Sequence, residues 1–73
     1  MKYLRDDQGI TKFGLRLKTI RLEKGYTQES LAWKANIEPM QVSKIERGIH
    51  NTSLSQILNL ARALEISPSE FFL

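Results

Sequence analysis

A chain of 73 residues with 41% apolar content supports one small domain and leaves no room for a second. It has no cysteine, so neither a disulfide nor a thiolate metal site can brace it, and it must fold on apolar packing, helped by a partner subunit where one is present. Eleven Lys/Arg against eight Asp/Glu give a net charge of +3, a modest pull toward an anionic partner. No apolar run approaches the ~18–20 residues of a membrane span, and the first nine residues hold no apolar stretch of the signal-peptide kind, so a cytoplasmic protein with no membrane partner is expected.

Residues 1–10 contain Asp6, Asp7 and Gly9 without sustained periodicity. They predict an N-terminal arm ahead of a domain over 11–73. Thr11 is the expected N-cap of a first helix over 11–24. Phe13, Leu17 and Ile20 recur at helical spacing and define its inward stripe. Gly25 after Lys24 fits a glycine stop behind a basic last turn. Leu15 and Leu22 fall off that stripe; they widen the buried face or mark a contact surface. Lys12, Arg16, Lys18, Arg21 and Lys24 concentrate positive charge in this first third.

Thr27 caps a second helix over 28–35, with Leu31, Ala32 and Ala35 inward and Asn36 as terminator. A third helix starts at Pro39, because proline suits a first helical turn, and runs over 39–47 to Gly48. Val42 and Ile45 are its inward residues. Ser53 and Gln56 have capping-box spacing for a fourth helix over 54–64, with Leu54, Ile57, Leu58, Ala61 and Leu64 as its apolar positions. Ser67, Pro68 and Glu70 repeat the start signal for a last short turn ending in Phe71, Phe72 and Leu73. No strand alternation, internal repeat or low-complexity tract interrupts the pattern. The fold class predicted is all-α, a five-helix bundle with short loops.

The second and third helices meet at Asn36-Ile37-Glu38-Pro39. A link of about four residues between two short helices is helix-turn-helix geometry, in which the second helix can enter a major groove. Spacing alone is common among helical domains. The residues add to it: Thr27-Gln28-Glu29-Ser30-Leu31-Ala32, then Val42-Ser43-Lys44-Ile45-Glu46-Arg47-Gly48, preceded by a first helix carrying Leu17, Ile20 and Arg21. This pattern over residues 13–66 resembles the phage-repressor-like (Cro/C1, XRE-type) helix-turn-helix family. The resemblance implies a compact five-helix bundle of the lambda-repressor-like type that binds operator DNA as a transcriptional regulator.

Gln28 sits where that family has a phosphate contact, in a first helical turn whose N–H groups and dipole suit an anion. Met40, Gln41, Ser43 and Lys44 match the family's base readers. Gln41 can bond adenine through two hydrogen bonds, Lys44 can donate to guanine O6 or N7, and Met40 can pack on a thymine methyl. Arg47, His50, Asn51 and Thr52 fall in or beside the loop that the family lays along the phosphate backbone. His50 is the single histidine and has no second metal-ligand type near it, so no metal role is expected. The resemblance also implies that Arg21 and Glu46 pair between the first and third helices, which makes them scaffold rather than DNA contacts. Glu38 and Pro39 depart from the Ser or Thr often found at this cap. Tyr26 falls at an apolar position of the family and is expected in the core, whereas Trp33 lies off the inner face of its helix.

Two readings follow. One is a sequence-specific regulator acting as a homodimer on a palindromic operator, since two symmetric copies can span half-sites about 34 Å apart. Its interface candidates are Leu60, Ile66, Phe71, Phe72 and Leu73, with one of the two phenylalanine rings turned inward. The other is an antitoxin-like subunit that binds a toxin-like partner protein and autoregulates its operon. An enzyme is not expected, because cysteine is absent, histidine is single and the acids are dispersed along helices. No cofactor is expected.

Overall fold

The computed structural model describes residues 4–73. Four α-helices follow one another: α1 (Asp7–Glu23), α2 (Gln28–Ala35), α3 (Pro39–Glu46) and α4 (Leu54–Leu64), then a 3₁₀ turn, Pro68–Phe72. The fifth element expected from the sequence is therefore a single 3₁₀ turn rather than an α-helix. Ser67 caps it, and Pro68 supplies a fixed φ at its start. The described residues contain no strand.

Local signals explain most of the boundaries. Thr27 Oγ1 accepts from the Ser30 N–H at 2.9 Å while Ser30 Oγ accepts from the Thr27 N–H at 2.9 Å, a reciprocal cap that starts α2. Asn36 ends that helix in the left-handed region at φ 57°. Ser53 Oγ accepts from the Gln56 N–H at 3.1 Å and starts α4. The start of α1 differs from the expectation. Asp6, not Thr11, is the cap, and its carboxylate accepts from the Gly9 N–H at 2.9 Å. The residues 7–10 assigned to an arm form the first turn of α1; residues 1–3 of that arm lie outside the described residues.

The core is one cluster drawn from every element: Phe13, Leu17 and Ile20 of α1; Leu31, Ala32 and Ala35 of α2; Val42 and Ile45 of α3; Leu60, Ala61, Ala63 and Leu64 of α4; and Phe71 of the 3₁₀ turn. Tyr26, Ile37, Ile57 and Ile66 pack against it half-buried. Leu54 and Leu58, expected inward, are exposed. The stripe of α4 is rotated toward Leu60 and Ala63, because this helix packs on α2 and on the terminal turn and leaves its first turn outside. Asn59 Nδ2 donates to the Ala35 carbonyl at 2.9 Å and ties α4 to the end of α2.

Phe71 is buried and meets Phe13 edge-on, with centroids 5.0 Å apart, whereas Phe72 stays exposed and stacks loosely over Phe13 at 6.1 Å. Arg16 Nε donates to the Glu70 carbonyl at 2.7 Å and holds the same turn against α1.

Candidate nucleic-acid interface

The helix-turn-helix corner is fixed from inside. Val42 and Ile45 are buried, so α3 can lie against the core in one orientation only. Pro39 occupies its first turn and Glu38 precedes it in extended conformation, without a side-chain bond to the helix. The opposite face of α3 is open. Met40, Lys44 and Arg47 are exposed at i, i+4 and i+7, one ridge along the helix, and Gln41 and Ser43 lie half-buried on its flanks. All four residues expected to reach base edges thus share the outward side of one helix, together with Arg47. The Arg47 guanidinium folds back along the ridge, with Nε 3.4 Å from the Ser43 carbonyl and Nη2 4.0 Å from Met40 Sδ.

Gly48 then turns the chain at φ +73°, against Thr11 of α1. A Cβ at Gly48 would stand 3.2 Å from the Thr11 Cα, so both the backbone angle and the close approach favour glycine here. The turn leads into His50, Asn51 and Thr52. Asn51 is exposed, and His50 and Thr52 are half-buried. The Thr52 hydroxyl donates to the His50 carbonyl at 3.3 Å, which orders this loop internally.

Behind the reading face lies a buried charged pair. Arg21 Nε donates to Glu46 Oε2 at 2.6 Å and Nη2 to Glu46 Oε1 at 3.1 Å, a two-pronged contact from α1 to α3. Arg21 Nη1 donates to the Tyr26 carbonyl at 2.8 Å. The two side chains are 7% and 3% exposed, which takes both out of reach of solvent or DNA. Gln28 joins them: its Nε2 donates to Glu46 Oε1 at 3.0 Å. That third partner had no signal in the sequence beyond the proximity of the two helices.

Two other contacts change how the sequence is read. Of the five basic residues grouped in the first third, Arg16 and Arg21 are engaged in holding the fold, and Lys12, Lys18 and Lys24 remain exposed. Lys34 Nζ donates to Tyr26 Oη at 2.7 Å and lies 3.3 Å from Glu65 Oε2, linking α2 to the residue that ends α4. The bond to Tyr26 and the Glu65 charge raise the Lys34 pKa above the usual lysine value, against a lowering from desolvation.

The expected subunit interface separates into two sets. Leu60 and Phe71 are buried in the chain's own core and offer no surface. The first correction follows from the rotation of α4, which turns Leu60 onto the core, and the second from the packing of Phe71 on Phe13. Ile66 is half-buried, and Phe72 and Leu73 are exposed at 66% and 82%. Phe72 and Leu73 line an open groove of about 780 Å³ with Leu15, Ile57 and His50. Trp33 is 88% exposed on α2. Among the described residues no cluster of His, Asp or Glu could hold a metal, and no helix is long and apolar enough to cross a membrane.

Comparison with known proteins places this geometry. A family model described as helix-turn-helix matches residues 17–71. The chain is 37% identical over 59 residues to the control protein C.BamHI of Bacillus amyloliquefaciens, covering 80% of this chain and 73% of that one. It is 45% identical over 56 residues to the immunity repressor protein of Bacillus phage phi105, covering 77% of this chain but 39% of the repressor. Among solved structures, the restriction-modification controller protein C.AhdI of Aeromonas hydrophila superposes with a TM-score of 0.84 at 46% identity, over 86% of this chain and 96% of the controller. With that family model spanning the second part of α1 and every later element up to Phe71, the chain belongs to the helix-turn-helix family of Cro/C1 (XRE) type.

Proposed function

We infer that this chain is a sequence-specific transcriptional regulator that binds duplex DNA, with α3 lying in the major groove. The observation that carries the reading is the division of α3 into a buried side, Val42, Ile45 and Glu46, and an outward ridge of Met40, Lys44 and Arg47 flanked by Gln41 and Ser43. An eight-residue helix held this firmly from behind, with polar and adaptable side chains in front, is a rigid probe for base edges. Gln28 at the start of α2, with Arg47, His50, Asn51 and Thr52 after α3, provides donors on either side of the probe for backbone phosphates. The controller and repressor relatives support the regulatory role.

The regulator acts as a homodimer on a palindromic site, with Phe72, Leu73 and Ile66 contributing to the contact between copies. Exposed apolar residues at the chain's end support this, because a single α3 reads too few base pairs for specificity. Neither a catalytic constellation nor a cofactor forms part of this reading.

Paired affinity measurements test it. Gln41→Ala removes a base contact and lowers the preference at one operator position by about 1–3 kcal/mol. Gln28→Ala removes a phosphate contact and weakens every duplex alike. If both substitutions leave affinity and preference unchanged, α3 is not the reading element.

A second reading rests on relatives named Antitoxin HipB. Antitoxin HipB of Escherichia coli strain CFT073 is 33% identical over 57 residues, of which this chain spans 61% of the length. On this reading the chain also binds a toxin-like protein, with the exposed Trp33 as a candidate contact. Co-purification of a stoichiometric partner that Trp33→Ala releases would support it.

A further inference from the structure

Gln28 is held from the inside of the protein. Its Nε2 donates to Glu46 Oε1 at 3.0 Å, and the same oxygen accepts from Arg21 Nη2 at 3.1 Å. An ionised carboxylate has acceptors only, so Gln28 must turn its nitrogen, and not its oxygen, toward Glu46. One amide hydrogen is used in that bond and the second has no partner among the described residues. Arg21 is in turn fixed by the Tyr26 carbonyl at 2.8 Å, so the chain of contacts runs from the turn after α1, through the buried pair, to the first residue of α2. No buried side-chain nitrogen or oxygen among the described residues lacks a partner, so the network is fully satisfied as it stands.

We propose that Glu46 is a positioning residue for DNA binding, which orients the Gln28 amide so that its second N–H meets a phosphate oxygen of the duplex. This rests on the reading of Gln28 as a phosphate contact. The physical gain is preorganisation. A freely turning glutamine gives up rotamer entropy when it binds, and it must also choose between presenting a donor and presenting an acceptor. A held one has met both costs on folding. Glu46 thereby joins the reading helix to the phosphate anchor: a shift of α3 in the groove moves the carboxylate that aims Gln28.

The test has two arms. In the side-chain amide spectrum of the unmodified full chain, one Gln28 Nε2 proton exchanges slowly with water and the other quickly. A mixed-sequence duplex of about 20 base pairs at low salt then slows the second proton. Two Gln28 Nε2 protons that exchange with water equally fast in the free protein overturn the proposal. Because this arm needs no substitution, it decides the matter even where a variant does not fold.

The other arm is a double-mutant cycle on the same duplex, at a temperature where melting curves show every variant folded. Glu46→Gln lowers affinity about three- to tenfold, the worth of one hydrogen bond, when Gln28 is present, and not when alanine stands at 28. An equal loss in both backgrounds means that Glu46 acts through the fold alone, and overturns the proposal. If Gln28→Ala weakens binding but Glu46→Gln does not, the positioning role fails and the phosphate contact stands. If Gln28→Ala costs nothing, the phosphate reading has failed first and the proposal falls with it.

Discussion

Gly14 of α1 lies directly beneath the carbonyl of Ile45 at the end of α3, so close that a Cβ built at Gly14 would collide with that oxygen and stand 3.0 Å from the next carbonyl, Glu46 O. The contact brings the first helix onto the reading helix at backbone distance. Gly14→Ala gains up to about 1 kcal/mol of helix propensity but must push α3 away from α1, and the obstacle is backbone rather than a side chain that can turn aside. Overpacking of this kind costs about 1–3 kcal/mol, so a net loss in stability is expected, measured by denaturant midpoint. An unchanged or raised midpoint would show that the helices are not in such close contact.

Asp6 caps α1, which sets the start of that helix at residue 7. Asp6→Ala should cost about 1 kcal/mol, which for a domain of this size lowers the melting temperature by about 4–8 °C. Asp6→Asn should retain most of that stability. Equal melting temperatures for Asp6→Ala and the unmodified chain would return residues 7–10 to the arm.

Thr11 and Asp6 are both good caps, and of the four residues between them, Asp7, Gln8, Gly9 and Ile10, only Ile10 is apolar, which is too little to set a helical period. The inward stripe Phe13, Leu17, Ile20 was visible because burial enforces it. The caps Thr27 and Ser53 and the stop at Asn36 are legible for a different reason: each is a local backbone requirement that few residue types meet. On α4 the leucines at 54, 58, 60 and 64 fit two rotations of the helix, and only the neighbours α2 and the 3₁₀ turn choose between them. The bond from Gln28 to Glu46 joins residues 18 apart, and no spacing rule reaches across two packed helices to predict it.

Arg21 and Glu46 make the stability of the reading helix depend on charge. Arg21→Met leaves the Glu46 carboxylate buried without its counter-ion, at a cost of about 3–5 kcal/mol. A domain of 73 residues has about 4–11 kcal/mol in all, so this variant should melt tens of degrees lower or be unfolded at 25 °C by circular dichroism. A melting temperature within a few degrees of the unmodified chain would mean that the pair is solvent-accessible in solution.

The two phenylalanines at the chain's end should behave oppositely. Phe71→Ala opens the core beside Phe13 and costs about 3–5 kcal/mol in the monomer. Phe72→Ser removes an exposed ring, costs the monomer no more than about 1 kcal/mol, and weakens self-association seen by sedimentation. Identical sedimentation of Phe72→Ser and the unmodified chain across the micromolar range would move the subunit contact elsewhere.

Whether α3 reads base sequence is decided by selection of bound sequences from a pool of random duplexes. A recovered motif with two symmetric halves about one helical turn apart is expected, with affinity that falls steeply as salt rises. Affinity that is equal for every duplex in the pool, with no motif recovered, would contradict it.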